Sequence, residues 1–143
     1  MDVVAFEPAH IARLMNFGGQ EHLVGYFTER DMRDLAERGP AWSGIVDGQV
    51  VACAGLIECH KYRATGWGLF AKTSPQAFMA IHRASRRRIL DSGYRRVEAY
   101  VDPRSIPAMR WVKALGFKLE RPYIPYFFPD GSGAMEWALY PGS

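Results

Sequence analysis

The sequence predicts a mixed α/β domain in which central strands are flanked by helices, and three observations predict it. Apolar residues recur with strand period in some runs and helix period in others, in the order β-α-α-β-β-β-α-β-α-β-β. The helix-length runs are bracketed by cap residues in front and glycine behind. The chain has 143 residues, 48% of them apolar and 13% aromatic. That is the size and core content of one domain, spanning 1–143, and too apolar for a disordered chain. No repeat, low-complexity tract or linker divides it.

Taken in order, Val3 to Phe6 is a short apolar run followed by Pro8, which suits a strand leading into a helix over about Ala9 to Met15. Gly18-Gly19 breaks that helix. Thr28 precedes an amphipathic run with Met32 and Leu35 inward and Glu29, Asp31, Asp34 and Glu37 outward. Thr28 with Asp31 resembles a capping box, and Gly39-Pro40 stops the helix. Trp42 to Val46 and Gln49 to Glu58 flank Asp47-Gly48, a hairpin signal. A third strand covers about Arg63 to Ala71. Ser74-Pro75 reads as N-cap and first helical position. Phe78, Ile81, His82, Ser85 and Ile89 then share one face until Gly93. Val97 to Val101 is a β-branched and aromatic strand. Ser105 opens a helix with Ala108, Met109, Trp111, Val112 and Leu115 apolar, closed by Gly116. Phe117 to Leu119 opens a strand, Pro122 to Pro129 is rich in Pro and aromatics, Asp130-Gly131 turns, and Ala134 to Tyr140 is the last strand.

Charge is divided along the chain. Residues 1–60 carry four basic and nine acidic side chains, a balance of −5, and residues 61–143 carry 14 basic and six acidic, a balance of +8. Fourteen of the 18 basic residues are Arg, whose planar fork suits phosphate. The basic half therefore suggests a polyanion there, either nucleic acid or a phosphate-bearing cofactor. No uncharged run approaches the roughly 18 apolar residues of a membrane span, and no basic-then-apolar leader follows Met1-Asp2. Cys53 and Cys59 form neither a disulfide framework nor a metal cluster, so a reducing, cytoplasmic compartment is expected. Cys53 alternates with Val51 and Gly55 on a strand and reads as a buried apolar thiol.

From Ser74 to Leu119 the chain runs through a long helix ending at Gly93, the strand Val97–Val101, and a short helix closing on Lys113-Ala114-Leu115-Gly116-Phe117. With the element order of the whole chain, this unit resembles the GNAT superfamily of N-acetyltransferases. The 23-residue step from Gly93 to Gly116 matches the family's spacing. More narrowly, Arg110-Trp111-Val112-Lys113 and the aromatic hairpin after it resemble phage-encoded GNAT-like proteins, the group of the T7-type internal virion protein A. The resemblance implies the acyl-CoA N-acyltransferase fold, a central splayed mixed sheet flanked by helices. It also implies acetyl-CoA as cofactor and direct transfer to the primary amine of a small molecule or peptide. The pantetheine would lie between two diverging parallel strands and the pyrophosphate at a helix N-terminus.

In that frame the cofactor side falls on Phe70, Ala71, Lys72, Ser74, Gln76, Ala77 and Arg83. Glu58 and His60 are the candidate bases, against the alternative of a solvated strand end. Tyr126, with Tyr123, is the candidate acid, against the alternative of an aromatic cover or interface. Arg63-Ala64-Thr65-Gly66-Trp67-Gly68 fits the family's phosphate-loop pattern letter for letter, yet Gly68 lies 25 residues before Gly93. That is about ten too many, and a loop there would place Pro75 inside the helix. The spacing puts the loop at Thr73 to Phe78, which contains no Gly. Val112 stands where the family usually carries its proton-donating Tyr, and Ser105 where an Asn often begins the helix. These departures leave a second expectation open: a catalytically silent phage virion or host-interaction protein, with a second copy or a phage or host protein as partner and the virion as its location. Arg83, Arg86, Arg87 and Arg88, with Arg95 and Arg96, admit a solvated face, contact with cofactor phosphates, or nucleic acid. No helix-turn-helix or RNP signature supports the last. In the GNAT frame the acidic half would build the acceptor side and the basic half the cofactor side, so the polyanion should bind near the start of the Ser74 helix.

Overall fold

The structure, a computed structural model, describes residues 1–15 and 29–142. Its elements are β1 (Asp2–Ala5), α1 (Pro8–Met15), α2 (Glu29–Glu37), β2 (Ala41–Val46), β3 (Gln49–His60), β4 (Arg63–Phe70), α3 (Pro75–Leu90), β5 (Arg96–Val101), α4 (Ile106–Leu115), β6 (Lys118–Ile124) and β7 (Ala134–Leu139). The expected order is observed throughout. The Gly18-Gly19 break and the Thr28 cap lie outside the described residues.

Local chemistry sets the boundaries. Asp47 and Gly48 both take positive φ, 49° and 75°, the conformation a two-residue hairpin turn needs to match strand twist. Ser74 caps α3, its hydroxyl accepting from the Ala77 N–H at 3.2 Å, and Pro75 occupies the first turn. Ser105 caps α4 in the same way, and Gly116 ends it at φ 103°, where a side chain would be strained.

The strands form one seven-stranded sheet in the order β1-β2-β3-β4-β5-β7-β6. Every pairing is antiparallel except β4 with β5, the pair joined by the α3 crossover. That parallel pair is short: Arg63, Ala64 and Thr65 face Arg96, Val97 and Glu98, and the register ends there. Both strands run on, β4 to Phe70 along β3 and β5 to Val101 along β7, but no longer as a pair with each other. The sheet is therefore splayed at its middle, as the family resemblance implies.

Two apolar clusters lie on opposite faces. One holds Ala54, Leu56, Ala64, Val97, Ala99 and Val101 of the sheet under Ile81 and Ile89 of α3 and Trp111, Val112 and Leu115 of α4. The other holds Val50, Cys53 and Leu69 under Ile11 and Leu14 of α1 and Leu35 of α2. On α3 the buried stripe is Ala77, Ile81, Ser85 and Ile89. Phe78 and His82, expected on that stripe, sit half-buried at its flank, so the inward face is rotated toward Ala77.

Candidate active site at the strand divergence

The parting of β4 and β5 leaves the β5-facing edge of Gly66–Leu69 without a strand partner among the described residues. Gly68 shows that this edge is open. It pairs with Ala54 of β3 on one side, and a Cβ placed on it would lie 2.8 Å from Cζ3 of Trp111 on one face. Gly68 is nevertheless exposed. The Arg63–Gly68 segment is thus extended strand rather than phosphate loop, and its glycines make thin places: Gly68 admits the Trp111 ring, and Gly66 stands over Val97. Trp111, 6% exposed, meets Phe70 edge-on at 5.7 Å and Phe78 at 6.0 Å between ring centroids. Together the three rings wall the slot on the side of α3 and α4, and the Trp111 indole N–H is buried without a hydrogen-bond partner among the described residues.

At the mouth, Phe70 and Ala71 end the strand, and the Ala71 N–H bonds Val51 O of β3. Lys72, Ser74 and Gln76 are exposed on the turn before and into α3. Their capacity for an anion is reduced. Pro75 has no N–H, the Ala77 N–H goes to the Ser74 hydroxyl, and the Phe78 N–H goes to the Ser74 carbonyl. Of the first turn, Gln76 alone has an N–H with no protein acceptor among the described residues. Ala77 is buried and does not serve as a phosphate donor as expected, because the cap consumes it. Arg83 is likewise displaced. It lies eight residues along α3 from Pro75, about 12 Å at 1.5 Å per residue, and lines a depression with Arg86 and Arg87 instead.

The structure removes the two candidate bases from the slot. Glu58 stands opposite Ala64 and His60 opposite Arg63, at the closed end of β4. From Ala64 to Phe70 is six residues, roughly 20 Å of strand. Glu58 accepts the Tyr94 hydroxyl at 2.9 Å, and His60 Nδ1 accepts the Tyr62 N–H at 3.2 Å, so both belong to the turns around Tyr62 and Tyr94. Tyr126 is removed by exposure: it is 86% exposed at φ 54° in the β6–β7 connection. Strand-end position in the sequence could not reveal which end of β4 opens.

The same geometry brings forward residues that sequence reasoning passed over. Glu98, 4% exposed, is the last residue of β5 paired to β4, and Tyr100 is the next on that face. Arg63 bonds one oxygen of Glu98, and Arg96 bonds the other at 3.1 Å. Arg96 also bonds Glu136 at 3.2 Å and Glu120 at 2.6 Å. Tyr100 stacks on Phe127 at 4.7 Å. Burial, then Glu98 and Glu136, push its phenol above the usual tyrosine range, so it keeps its proton at neutral pH. The alternation of Val97-Glu98-Ala99-Tyr100-Val101 was the available signal. It put Glu98 and Tyr100 on one face without showing that Arg63, Arg96 and Glu136 gather there.

Cys53 is buried as expected. Desolvation pushes its thiol up to about 11, against the bond from Ser43, whose hydroxyl is 3.6 Å from Sγ. Among the described residues no group of His, Cys, Asp or Glu is placed to hold a metal ion. None of their helices is long and apolar enough to cross a membrane.

No protein-family model and no curated protein matches the chain. Solved structures do match over nearly its whole length. Ard1 from Thermoplasma volcanium is 21% identical with a TM-score of 0.71, covering 97% of this chain and 96% of that one. A GNAT-family acetyltransferase from Streptococcus pneumoniae is 14% identical with a TM-score of 0.73, covering 99% of each chain. An aminoglycoside 6'-acetyltransferase type Ii is 12% identical with a TM-score of 0.74, covering 98% and 97%. The chain therefore has the fold of GNAT acetyltransferases, and these likenesses speak to the fold alone.

Proposed function

We propose that this protein is an acetyl-CoA-dependent N-acetyltransferase that passes the acetyl group directly to the primary amine of a small molecule or peptide. One observation carries the reading: the β5-facing edge of Gly66–Leu69, unpaired among the described residues, opens to solvent at Gly68 beside a diverging parallel strand. Backbone donors and acceptors within a fold require partners. An extended ligand with amides in series, such as pantetheine, meets such an edge as an added strand does. When bound, acetyl-CoA supplies an activated thioester. Of the chain's own residues, the Gly66–Leu69 edge binds the amides, and Lys72 with the Gln76 N–H faces the phosphates. Tyr100 holds a proton on β5 just beyond its last pairing with β4 and takes the role that Val112 lacks.

A second reading has its own support. The turn without glycine, Pro75 and the consumed Ala77 N–H leave few donors for a pyrophosphate, and the Phe70–Trp111–Phe78 rings narrow the slot from one side. Such a protein would serve by its surface, as a virion or host-interaction protein of the phage-encoded group that Arg110–Lys113 resembles. Calorimetry and thermal melting with acetyl-CoA separate the two. The enzyme reading expects saturable heat and, at a hundred-fold excess over Kd, about 2.7 kcal/mol of stabilisation. It also expects thiol release when polyamines or amine-bearing peptides are added. Absence of heat and of any melting shift at millimolar acetyl-CoA would leave the silent scaffold.

A further inference from the structure

Three arginines of α3, Arg83, Arg86 and Arg87, are used by neither the slot nor the core, whereas Arg88 lies over the Trp42 ring at 5.8 Å. Arg83, Arg86, Arg87 and Leu90 recur at three- and four-residue steps and share one helix face, where they line a depression of about 470 Å³. A second depression of about 320 Å³ adjoins it through Arg86 and Leu90 and runs between the ends of α4 and β7, over Leu115 and Leu139, with Lys118 at its rim. The two form one groove with an apolar floor and a cationic rim. It lies at the closed end of the sheet, where Leu139 pairs with Val97, and begins at Arg83, about 12 Å along α3 from the slot mouth. That helix has 16 residues, about 24 Å.

The rim charges are available. Arg83 and Arg86 make no ion pair among the described residues, and Arg87 has only an exposed one, 3.8 Å from Asp91. By contrast, Arg63, Arg96 and Arg104 are committed to Glu98, Glu120, Glu136, Asp102 and Asp130.

We infer that the α3–α4–β7 groove is a docking site for an acidic segment of a partner protein that carries apolar side chains among its carboxylates. Charge complementarity selects the acidic partner, because three guanidinium forks on one helix face match carboxylates two oxygens at a time. The floor selects a peptide rather than a nucleic acid. Leu90, Leu115 and Leu139 give a phosphate backbone nothing, whereas they bury Leu or Phe anchors between charged flanks. Tyr140, the aromatic of the groove, is already bonded to Arg96 and Glu120 and so is not placed to stack on a base.

The test is fluorescence anisotropy with a labelled dodecapeptide carrying six Glu and two Leu four residues apart. Its comparators are the same peptide with both Leu replaced by Ser and a 12-base-pair DNA duplex. The groove predicts saturable binding of the Leu-bearing peptide, weakened about tenfold by Arg86→Glu and much less by Arg86→Lys. It predicts a loss of at least roughly fivefold for the Ser peptide, the worth of two partly buried leucines. Arg86 is exposed, and an unchanged melting temperature of the variant secures its fold. Three results would overturn the inference: equal affinity for the two peptides, which is charge attraction alone; tighter binding of the duplex; or binding unmoved by Arg86→Glu. Association of the free protein that Arg86→Glu abolishes, seen by sedimentation, would overturn it too by assigning the groove to a second copy.

Discussion

The Trp111–Gly68 contact can be tested by replacing Gly68 with Ala. The added methyl would lie 2.8 Å from Cζ3 and 3.4 Å from Cη2 of the Trp111 ring. Carbon atoms rest at roughly 3.5–4.0 Å, so the ring must retreat by about an ångström. It has little room, because Phe70 and Phe78 hold it edge-on. Overpacking of this kind costs about 1–3 kcal/mol, against which the lower backbone entropy of Ala in the unfolded chain returns about 0.4–1 kcal/mol. The expected net loss is about 1–2 kcal/mol, a fall in melting temperature of roughly 3–8 °C for a chain of this size. Trp111→Leu alone removes buried ring and costs about 3 kcal/mol. In the double variant the methyl enters the space the ring has left, so the two losses should fall short of their sum by at least about 1 kcal/mol. Urea unfolding of the four proteins measures this coupling. Additivity within about 0.5 kcal/mol would refute the contact, and with it the claim that Gly68 is glycine to seat Trp111 at the strand divergence. Gly68→Ala in acetyl-CoA calorimetry reports on the function, since a displaced ring encroaches on the slot and should weaken binding.

Further expectations concern the rest of the molecule. Arg96→Ala leaves Glu98 and Glu136, 4% and 8% exposed, without the guanidinium they share, and should cost about 3 kcal/mol; Glu136→Gln added to it should recover part, and denaturant midpoints that do not move would remove the network from the account. Burial lowers the pKa of His10 and of His82, so the unfolded chain takes up protons first as pH falls below about 6.5. Stability should be full above that pH and decline toward pH 5, and His10→Gln should flatten the profile measured by melting. Tyr94 and Tyr100 are shifted the other way, upward, chiefly by burial. Their contribution is therefore full below about pH 10 and lost above it, and Tyr100→Phe should shrink that alkaline loss. Cys53 is fully buried with its thiol near 11 and Cys59 is exposed; a thiol reagent at pH 8 should titrate one group rapidly in the native protein and the second only on unfolding, and equal rates would contradict the burial of Cys53.

The comparison of sequence with structure divides along a physical line. Signals carried by a few adjacent residues were legible. Asp47-Gly48 supplies the left-handed turn, Ser74-Pro75 and Ser105 supply caps, Gly93 and Gly116 supply stops, and the spacing between the last two named the fold. Each works through its own backbone conformation or the hydrogen bonds of its own turn, so no distant residue need be known. The same holds for rejecting Arg63–Gly68 as a loop, where chain length and Pro75 sufficed. What tertiary structure alone decided was which groups meet. Glu58 and His60 sit at a strand end, and only the β4–β5 register shows that this end is the closed one. Ala77 is a helix-start residue whose N–H is spent on the cap, and Arg83 shares a groove with Arg86 rather than the turn eight residues away. Glu98 and Tyr100 gain their setting from Arg63, Arg96 and Glu136 on three different strands. A strand's alternation tells which residues share a face. Burial, pairing and access depend on partners far along the chain, which only the packed sheet brings within a few ångströms.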